Sequence, residues 1–249
     1  MKIEEFIEII IYDLSYIELY ILTFMYFLFL YFVLAPMFLK VCEFLSSKNI
    51  LHKIIEKDVT KKQIQLEKLY SLKSIVVFGF SVLPVIYFIR NSTITLLPNT
   101  IYNIILGLTL LTVWNEIHFF IVHRTMHLTF FMKNVHTVHH RSKIPTVYSV
   151  YSFHWFEAFL LSTVPITIIP FIPFAPIAFF LYPFVSILFN YSGHCNYRFG
   201  NGISESWKLL GTHHNEHHYK FKKNYGFASN LLDMISARLN KVTIKRRNN

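Results

Sequence analysis

The feature that most limits how this chain can fold is a series of apolar runs too long for the core of a small soluble protein. From Tyr16 to Phe38 only Glu18 is charged, and a helix over that stretch rises roughly 34 Å, enough to cross a hydrocarbon core. A second run covers about Ser74 to Ile89 and a third Ile101 to about Val122, separated by a polar loop from Arg90 to Thr100 that contains Pro98. Residues 158–192 form a further apolar stretch, but continuous helix cannot persist through its middle, Pro170-Phe-Ile-Pro-Phe-Ala-Pro176. That stretch should turn and come back, either as two crossings of about 17 residues each or as a re-entrant pair. The pattern predicts an all-α fold, an integral membrane helical bundle of about five apolar spans arranged in hairpins.

Composition agrees and excludes the other classes. The chain is 53% hydrophobic and 15% charged, and its 26 Phe and 15 Tyr against 7 Gly exclude disordered and collagenous proteins. Cys42 and Cys195 lie far apart in sequence and form no CxxC, so neither a disulfide framework nor a thiolate zinc site is expected. The net charge of +10 gathers in a lysine-rich stretch from Lys40 to Lys73 and in Lys241, Lys245, Arg246 and Arg247. Basic residues flanking apolar spans suit anionic lipid head groups better than nucleic acid. Their asymmetry places residues 40–73, read as an amphipathic surface-lying segment, and everything after Gly193 in the cytoplasm. The acidic N-terminus, with Glu4, Glu5, Glu8 and Asp13, and the loop at 90–100 then lie outside. That N-terminus lacks the basic start and small-residue cleavage site of a signal peptide. The sequon Asn91-Ser92-Thr93 sits too close to the second span to carry weight.

Twelve of the thirteen histidines fall between His118 and His218, and their spacing needs a cause. His123 and His127 are four apart, so both rings project from one face of the helix that continues the third span. His136, His139 and His140 repeat that logic at spacings of three and four, as do His214, His217 and His218. His194 directly follows the last apolar stretch and His154 precedes it, so the topology delivers both to the same membrane face. With His194, the three clusters can bring nine imidazoles together, and His154 is a possible additional ligand. Packed neutral rings compete for hydrogen bonds, while protonated ones repel in a region of low dielectric. Metal removes both problems, and nine donors exceed what one ion takes, which points to a pair. Glu157, Glu216 and Asn224 are candidates to hold the rings from behind, the carboxylates by accepting an imidazole N–H. His52 and His118 read as surface or interfacial residues, and His213 as a neighbour of the third cluster that lacks the register of His214.

The order His-x3-His, His-x2-His-His, His-x2-His-His on apolar hairpins resembles the fatty acid hydroxylase superfamily, which includes sterol desaturases and sphingoid-base hydroxylases. The resemblance covers roughly residues 112–235 and extends to Phe120, Arg124, His154-x-x-Glu157, Ser192-Gly193-His194, Asn224-Tyr225-Gly226 and Asp233. Two positions depart from it: Glu116 stands where Asp is usual, and Trp155 follows His154 where Pro is common. The resemblance implies a non-haem diiron centre of two Fe ions that uses O2 to hydroxylate or desaturate a lipid, whether sterol, sphingoid base or fatty acyl chain. It also implies an external electron donor, a cytochrome b5 or ferredoxin with its reductase, because no His-Pro-Gly-Gly haem segment or nucleotide fingerprint is present. Residence would be the endoplasmic reticulum membrane in a eukaryote or the inner membrane in a bacterium.

The expected organisation is a membrane anchor with its basic loop at 1–100, a histidine-motif oxygenase domain at 101–235 with the histidine cluster as a cytoplasmic cap, and a basic tail at 236–249. The alternative reading is a divalent-metal-binding membrane transporter, which requires ionisable groups inside the spans.

Overall fold

The computed structural model describes residues 3–199, 211–221 and 223–247. In chain order, α1 (Ile3–Glu8) and a π-helical turn lead into α2 (Tyr16–Phe32), α3 (Leu34–Ser47), β1 (Leu51–Lys53), α4 (Lys61–Phe78), α5 (Val82–Arg90) and α6 (Ile101–Met126). A short turn α7 (Thr129–Phe131) opens the histidine region, followed by α8 (Trp155–Ser162), α9 (Val164–Ile168), α10 (Pro176–His194), β2 (Tyr197–Phe199), α11 (Thr212–Lys220) and α12 (Leu231–Arg247). Among the described residues the fold is mostly helical, and its strands form one antiparallel pair in which Leu51–Lys53 align with Tyr197–Phe199.

Among the described residues four helical segments are long and apolar enough to cross a membrane: Tyr16–Ser47, Lys61–Arg90, Ile101–Met126 and Pro176–His194. The fifth apolar stretch, Trp155–Ile168, rises only about 21 Å, so the two arms expected to be about equal are unequal, and only Pro176–His194 has the length of a crossing. Proline explains the breaks within these segments, because its ring displaces the carbonyl four residues earlier. Pro36 ends α2 at Phe32, Pro84 falls four after Phe80 in the step between α4 and α5, and Pro165 falls four after Leu161 at the end of α8. At the start of α2, Ser15 and Glu18 form a reciprocal capping box. Further along, Ile17, Ile21, Met25, Phe29 and Phe32 are exposed on one stripe while Leu19, Leu30 and Tyr31 are buried on the other. Apolar residues on both faces, with the outer face left uncovered, suit lipid as the solvent.

Residues 61–73 correct the expected surface-lying segment. They form the first turns of one long helical segment with the second span, and Glu67 and Ser71 on that stretch are buried, as is Ser74 directly after it. Glu67 accepts hydrogen bonds from Gln63, Ser142 and Thr146, so the carboxylate can be buried because three donors meet it. Tyrosines brace the bundle: the Tyr31 hydroxyl donates to Tyr148 O (2.7 Å) and that of Tyr191 to Leu30 O (2.6 Å). At the opposite end, Arg90 donates to the carbonyls of Ile11 and Leu14, and Ile177 N–H donates to Asn99. The bundle therefore has one end built from the 90–100 loop and the 170–176 turn, and another that gathers β1, β2 and the histidines.

Cys42 and Cys195, far apart in sequence, are both buried with free thiols, and the Cys195 thiol reaches the carbonyls of Ser192 and Tyr197. Of the segment expected as a basic tail, residues 236–247 continue α12, while residues 248 and 249 lie outside the described residues.

Candidate metal centre

Four elements converge at the histidine end. The C-terminal turn of α6 supplies His123 and the residue after it His127, α10 ends on His194, and α11 carries His214, His217 and His218. The middle cluster is not a regular α-helix as its spacing suggested. His136 closes a π-helical turn (Met132–His136) and His139 opens a 3-10 turn (His139–Arg141). That irregularity lets one short segment point rings in two directions.

The nine rings sort into two groups. His123, His127, His136, His140 and His217 form one, and His139, His194, His214 and His218 the other, with the candidate donor atoms in each group within 4.8 Å of one another. Each His-x2-His-His cluster serves both groups in a crossed manner. His136 and His140 go to the first while His139 goes to the second, and His214 and His218 go to the second while His217 goes to the first. The groups adjoin, with the rings of His140 and His218 5.1 Å apart. All nine rings are buried except that of His127, which is partly covered.

Hydrogen bonds fix which nitrogen faces inward. Nδ1–H donates to Tyr225 O from His123, to Asn190 O from His194, to Gly226 O from His214, to Lys223 O from His217 and to Ser142 O from His218. In His136 it donates to Glu157 Oε1 at 2.8 Å. A carbonyl only accepts, so in the neutral ring the lone pair lies on Nε2. His194 Nε2 and His218 Nε2 then face each other at 3.2 Å, lone pair to lone pair. Contacts of 3.0–3.3 Å link the Nε2 atoms of His127, His140 and His217, and the Nε2 atoms of His123, His136 and His214 are buried without a partner.

Protonation does not relieve this arrangement. Burial, reinforced by neighbouring rings, pushes His139, His140, His214 and His218 below the ordinary imidazole range, and burial holds His127 down at about 3 and His217 at about 4. A cation does relieve it. Two nitrogens about 2.1 Å from a common ion lie roughly 3.0 Å apart at right angles and roughly 3.4 Å apart at the tetrahedral angle, which brackets the observed contacts. The donor set, neutral imidazole throughout, suits borderline divalent metals.

These depressed values carry a sign. The rings bind protons more readily unfolded than folded, so stability is fully present above pH 6.5 and is lost as pH falls toward 4, with a slope of about 1.4 kcal/mol per pH unit for each ring. Metal-free protein should therefore melt at steadily lower temperature from pH 6.5 to 4.5 and show no trend from 7 to 8. A flat acid limb would contradict the assignment of neutral buried rings.

A loop that spacing alone does not reveal does much of the positioning. Lys223, Tyr225 and Gly226 offer three carbonyls to three histidines, and Asn224 between them has φ 64°. Asn tolerates that left-handed conformation better than most residues, so Asn224 acts through its backbone and not as a side-chain partner of a ring. Asp233 holds the loop by accepting from Tyr225 N–H (3.0 Å) and Gly226 N–H (2.9 Å). Glu116, inside α6, accepts from the N–H groups of Phe227, Ala228 and Ser229. Arg124 bonds Ser236 and lies over the rings of Phe120 and Tyr225.

The arrangement matches a family pattern. The fatty acid hydroxylase family model matches residues 108–237, just over half of the chain. The chain belongs to the fatty acid hydroxylase family. No curated protein and no solved structure matches it.

Within this family member, several expected roles change. His154 joins neither group; its Nδ1 accepts from Phe156 N–H and caps α8, a consequence of its position at the helix start. Glu216 pairs with Lys220 one turn along α11, on the outer face, and reaches no imidazole. His118 is buried, not interfacial, and meets Thr163 Oγ1 at 3.0 Å. His213 is buried beside His214 but belongs to neither group. Glu157 does meet an imidazole. Glu157→Ala should weaken metal binding about 10–100-fold by releasing the ring of His136, measured by competition with a chromophoric chelator. Unchanged affinity would show that His136 is held by packing alone.

Proposed function

We propose that this family member is a membrane-bound diiron oxygenase that hydroxylates or desaturates a lipid. His123, His127, His136, His140 and His217 would hold one ion, and His139, His194, His214 and His218 the other. Iron at both positions would supply the capacity to reduce O2 with electrons from an external donor, and so to oxidise an unactivated C–H bond. The observation that carries the reading is the facing pair of His194 and His218, each with Nδ1 tied to a carbonyl and Nε2 turned inward.

The chain's own residues do the rest. Backbone carbonyls and Glu157 keep the rings in one tautomer and one orientation, so the centre is organised before substrate arrives. Phe153 against His139 (4.7 Å) and Phe119 against His214 (5.6 Å) wall the second group with apolar surface and exclude water. The second group has four donors against five in the first; Phe119 borders both, at 5.0 Å from His123 and 5.6 Å from His214, while Phe153 lies against His139 of the second. A catalytic ion keeps a position open, so we place substrate on that side. The product is an alcohol if oxygen is returned to the carbon and an alkene if a second hydrogen is lost.

The partners in this proposal are the lipid and a separate electron donor, a cytochrome b5 or ferredoxin with its reductase. The site faces the cytoplasm, of an endoplasmic reticulum membrane in a eukaryote or of the inner membrane in a bacterium, since the lysine-rich segment lies at the same end. A transporter gains no support: Glu116, a carboxylate within α6, is engaged by three backbone N–H groups, and the imidazoles meet at the end of the bundle. Incubating iron-loaded protein with a lipid extract, reductant and O2 should yield a lipid heavier by one oxygen atom or lighter by two hydrogens. Metal uptake into vesicles with no oxidised lipid would overturn the reading.

A further inference from the structure

A glutamate outside the family match sits behind the second group of histidines. Glu67, on the second turn of α4, is 2% exposed, and the match begins only at residue 108. One oxygen of its carboxylate accepts from Gln63 Nε2 and Ser142 Oγ, each at 2.7 Å, and the other accepts from Thr146 Oγ1. The Gln63 amide also donates to Ile144 O at 2.9 Å. Two residues of α4 therefore hold the loop at 142–146, which follows His139 and His140.

The directions of these bonds make Glu67 an anion. The Gln63 N–H groups can only donate, and Thr146 Oγ1 already accepts from Tyr148 N–H at 3.1 Å, which leaves its own hydrogen for the carboxylate. Three donors on one carboxyl group favour its charged form. Among the described residues no lysine or arginine forms an ion pair with it, and a buried charge is costly unless positive charge opposes it. Ser142, 1% exposed, connects this anion to the metal centre: its hydroxyl donates to Glu67 and its carbonyl accepts from His218 Nδ1–H at 3.0 Å. Nine neutral imidazoles offer two divalent ions no negative charge. Glu157 supplies one beside the first group, through His136, and Glu67 is the matching carboxylate behind the second.

We propose that Glu67 is a positioning residue for the second ion. It fixes Ser142, and through it the ring of His218, and its negative charge raises the affinity of the four-histidine group for a divalent cation. This rests on the two-ion reading of the centre. Glu67, Gln63 and Ser142 also line a cavity of about 250 Å³ with Thr60, Tyr70 and Arg141, which has room for a small carboxylate once the glutamate side chain is shortened.

Titration with cobalt(II) reads the two groups without turnover. Full-length, metal-free protein in lipid nanodiscs should take up two cobalt ions per chain. Glu67→Gln keeps the size of the side chain and removes its charge; it should weaken one of the two binding steps about tenfold, as loss of a partner behind a ligand does, and leave the other within about twofold. Glu67→Ala should weaken the same step at least as much. Formate, at a concentration that leaves the wild type unchanged, should restore it and formamide should not, because only formate returns the charge. In a His218→Ala background, which keeps the five-histidine ion alone, Glu67→Gln should change nothing further. Equal weakening of both steps, unchanged affinity in Glu67→Gln, rescue by formamide as good as by formate, or a further loss in the His218→Ala background would overturn the role of Glu67. A single cobalt ion in the wild type would instead overturn the two-ion reading, and the effect of Glu67→Gln on that ion would still decide whether Glu67 supports it.

Discussion

His218→Ala should remove one of the two ions and nearly all product formation. His218 lies in the group of four donors, where its Nε2 opposes that of His194 at 3.2 Å and its Nδ1–H is tied to Ser142 O. Losing a direct ligand from so small a set should exceed the roughly 10–100-fold penalty that follows loss of an outer partner, and the three remaining rings cannot reproduce the geometry. The first group keeps all five donors, so metal content should drop from two ions toward one and not to zero. Insertion should be unaffected, because the substitution lies outside the apolar segments. Wild-type metal content with lost activity would mean that His218 acts in some way other than ligation.

Gly211→Ala should be more damaging still, though Gly211 carries no chemistry. Its φ is +78°, and a Cβ there would lie 2.2–2.5 Å from the carbonyl group of Ser192 and the nitrogen of Gly193. Those are backbone atoms at the end of α10, one and two residues from His194, with no flexible side chain to move aside. The left-handed conformation adds about 1–3 kcal/mol of strain for a residue with a side chain. α11 must therefore shift off α10. Because α11 sends His217 to one group and His214 and His218 to the other, both ions should be lost together. This separates the two variants: His218→Ala retains about one ion and Gly211→Ala none, read by metal analysis of purified protein that still shows full helix content. Full occupancy in Gly211→Ala would show that the contact between α10 and α11 does not set the site.

Helices and histidines were legible for different reasons. The apolar runs announce themselves by length, and the prolines in 158–192 announce a turn, but the sequence suggests two arms of about 17 residues each, whereas the structure makes the Trp155–Ile168 arm shorter than Pro176–His194. The family match over residues 108–237 agrees with the resemblance read from the histidine order. What spacing could not show is the sorting of the rings, because helical periodicity places His136, His139 and His140 on one face whereas the π and 3-10 turns divide them. The three-residue strands at Leu51–Lys53 and Tyr197–Phe199 are too short to leave a period. The buried start of α4 is hidden in the sequence because its lysines at 61–73 suggest a surface, while Glu67 and Ser71 turn inward. Carbonyl partners such as those of Lys223, Tyr225 and Gly226 are backbone atoms, which residue identity does not advertise. Glu116 and Asp233 carry signals in the sequence, as acids near the motif, but only the fold shows that both fasten that loop.

Counting iron in the purified, iron-reconstituted protein, with X-ray absorption at the iron edge on the same sample, tests the central claim most directly. The account predicts two ions per chain in nitrogen-rich coordination at about 2.1 Å, close enough to each other to give an iron–iron scattering feature. A single ion, or two ions too far apart to scatter from one another, would contradict it.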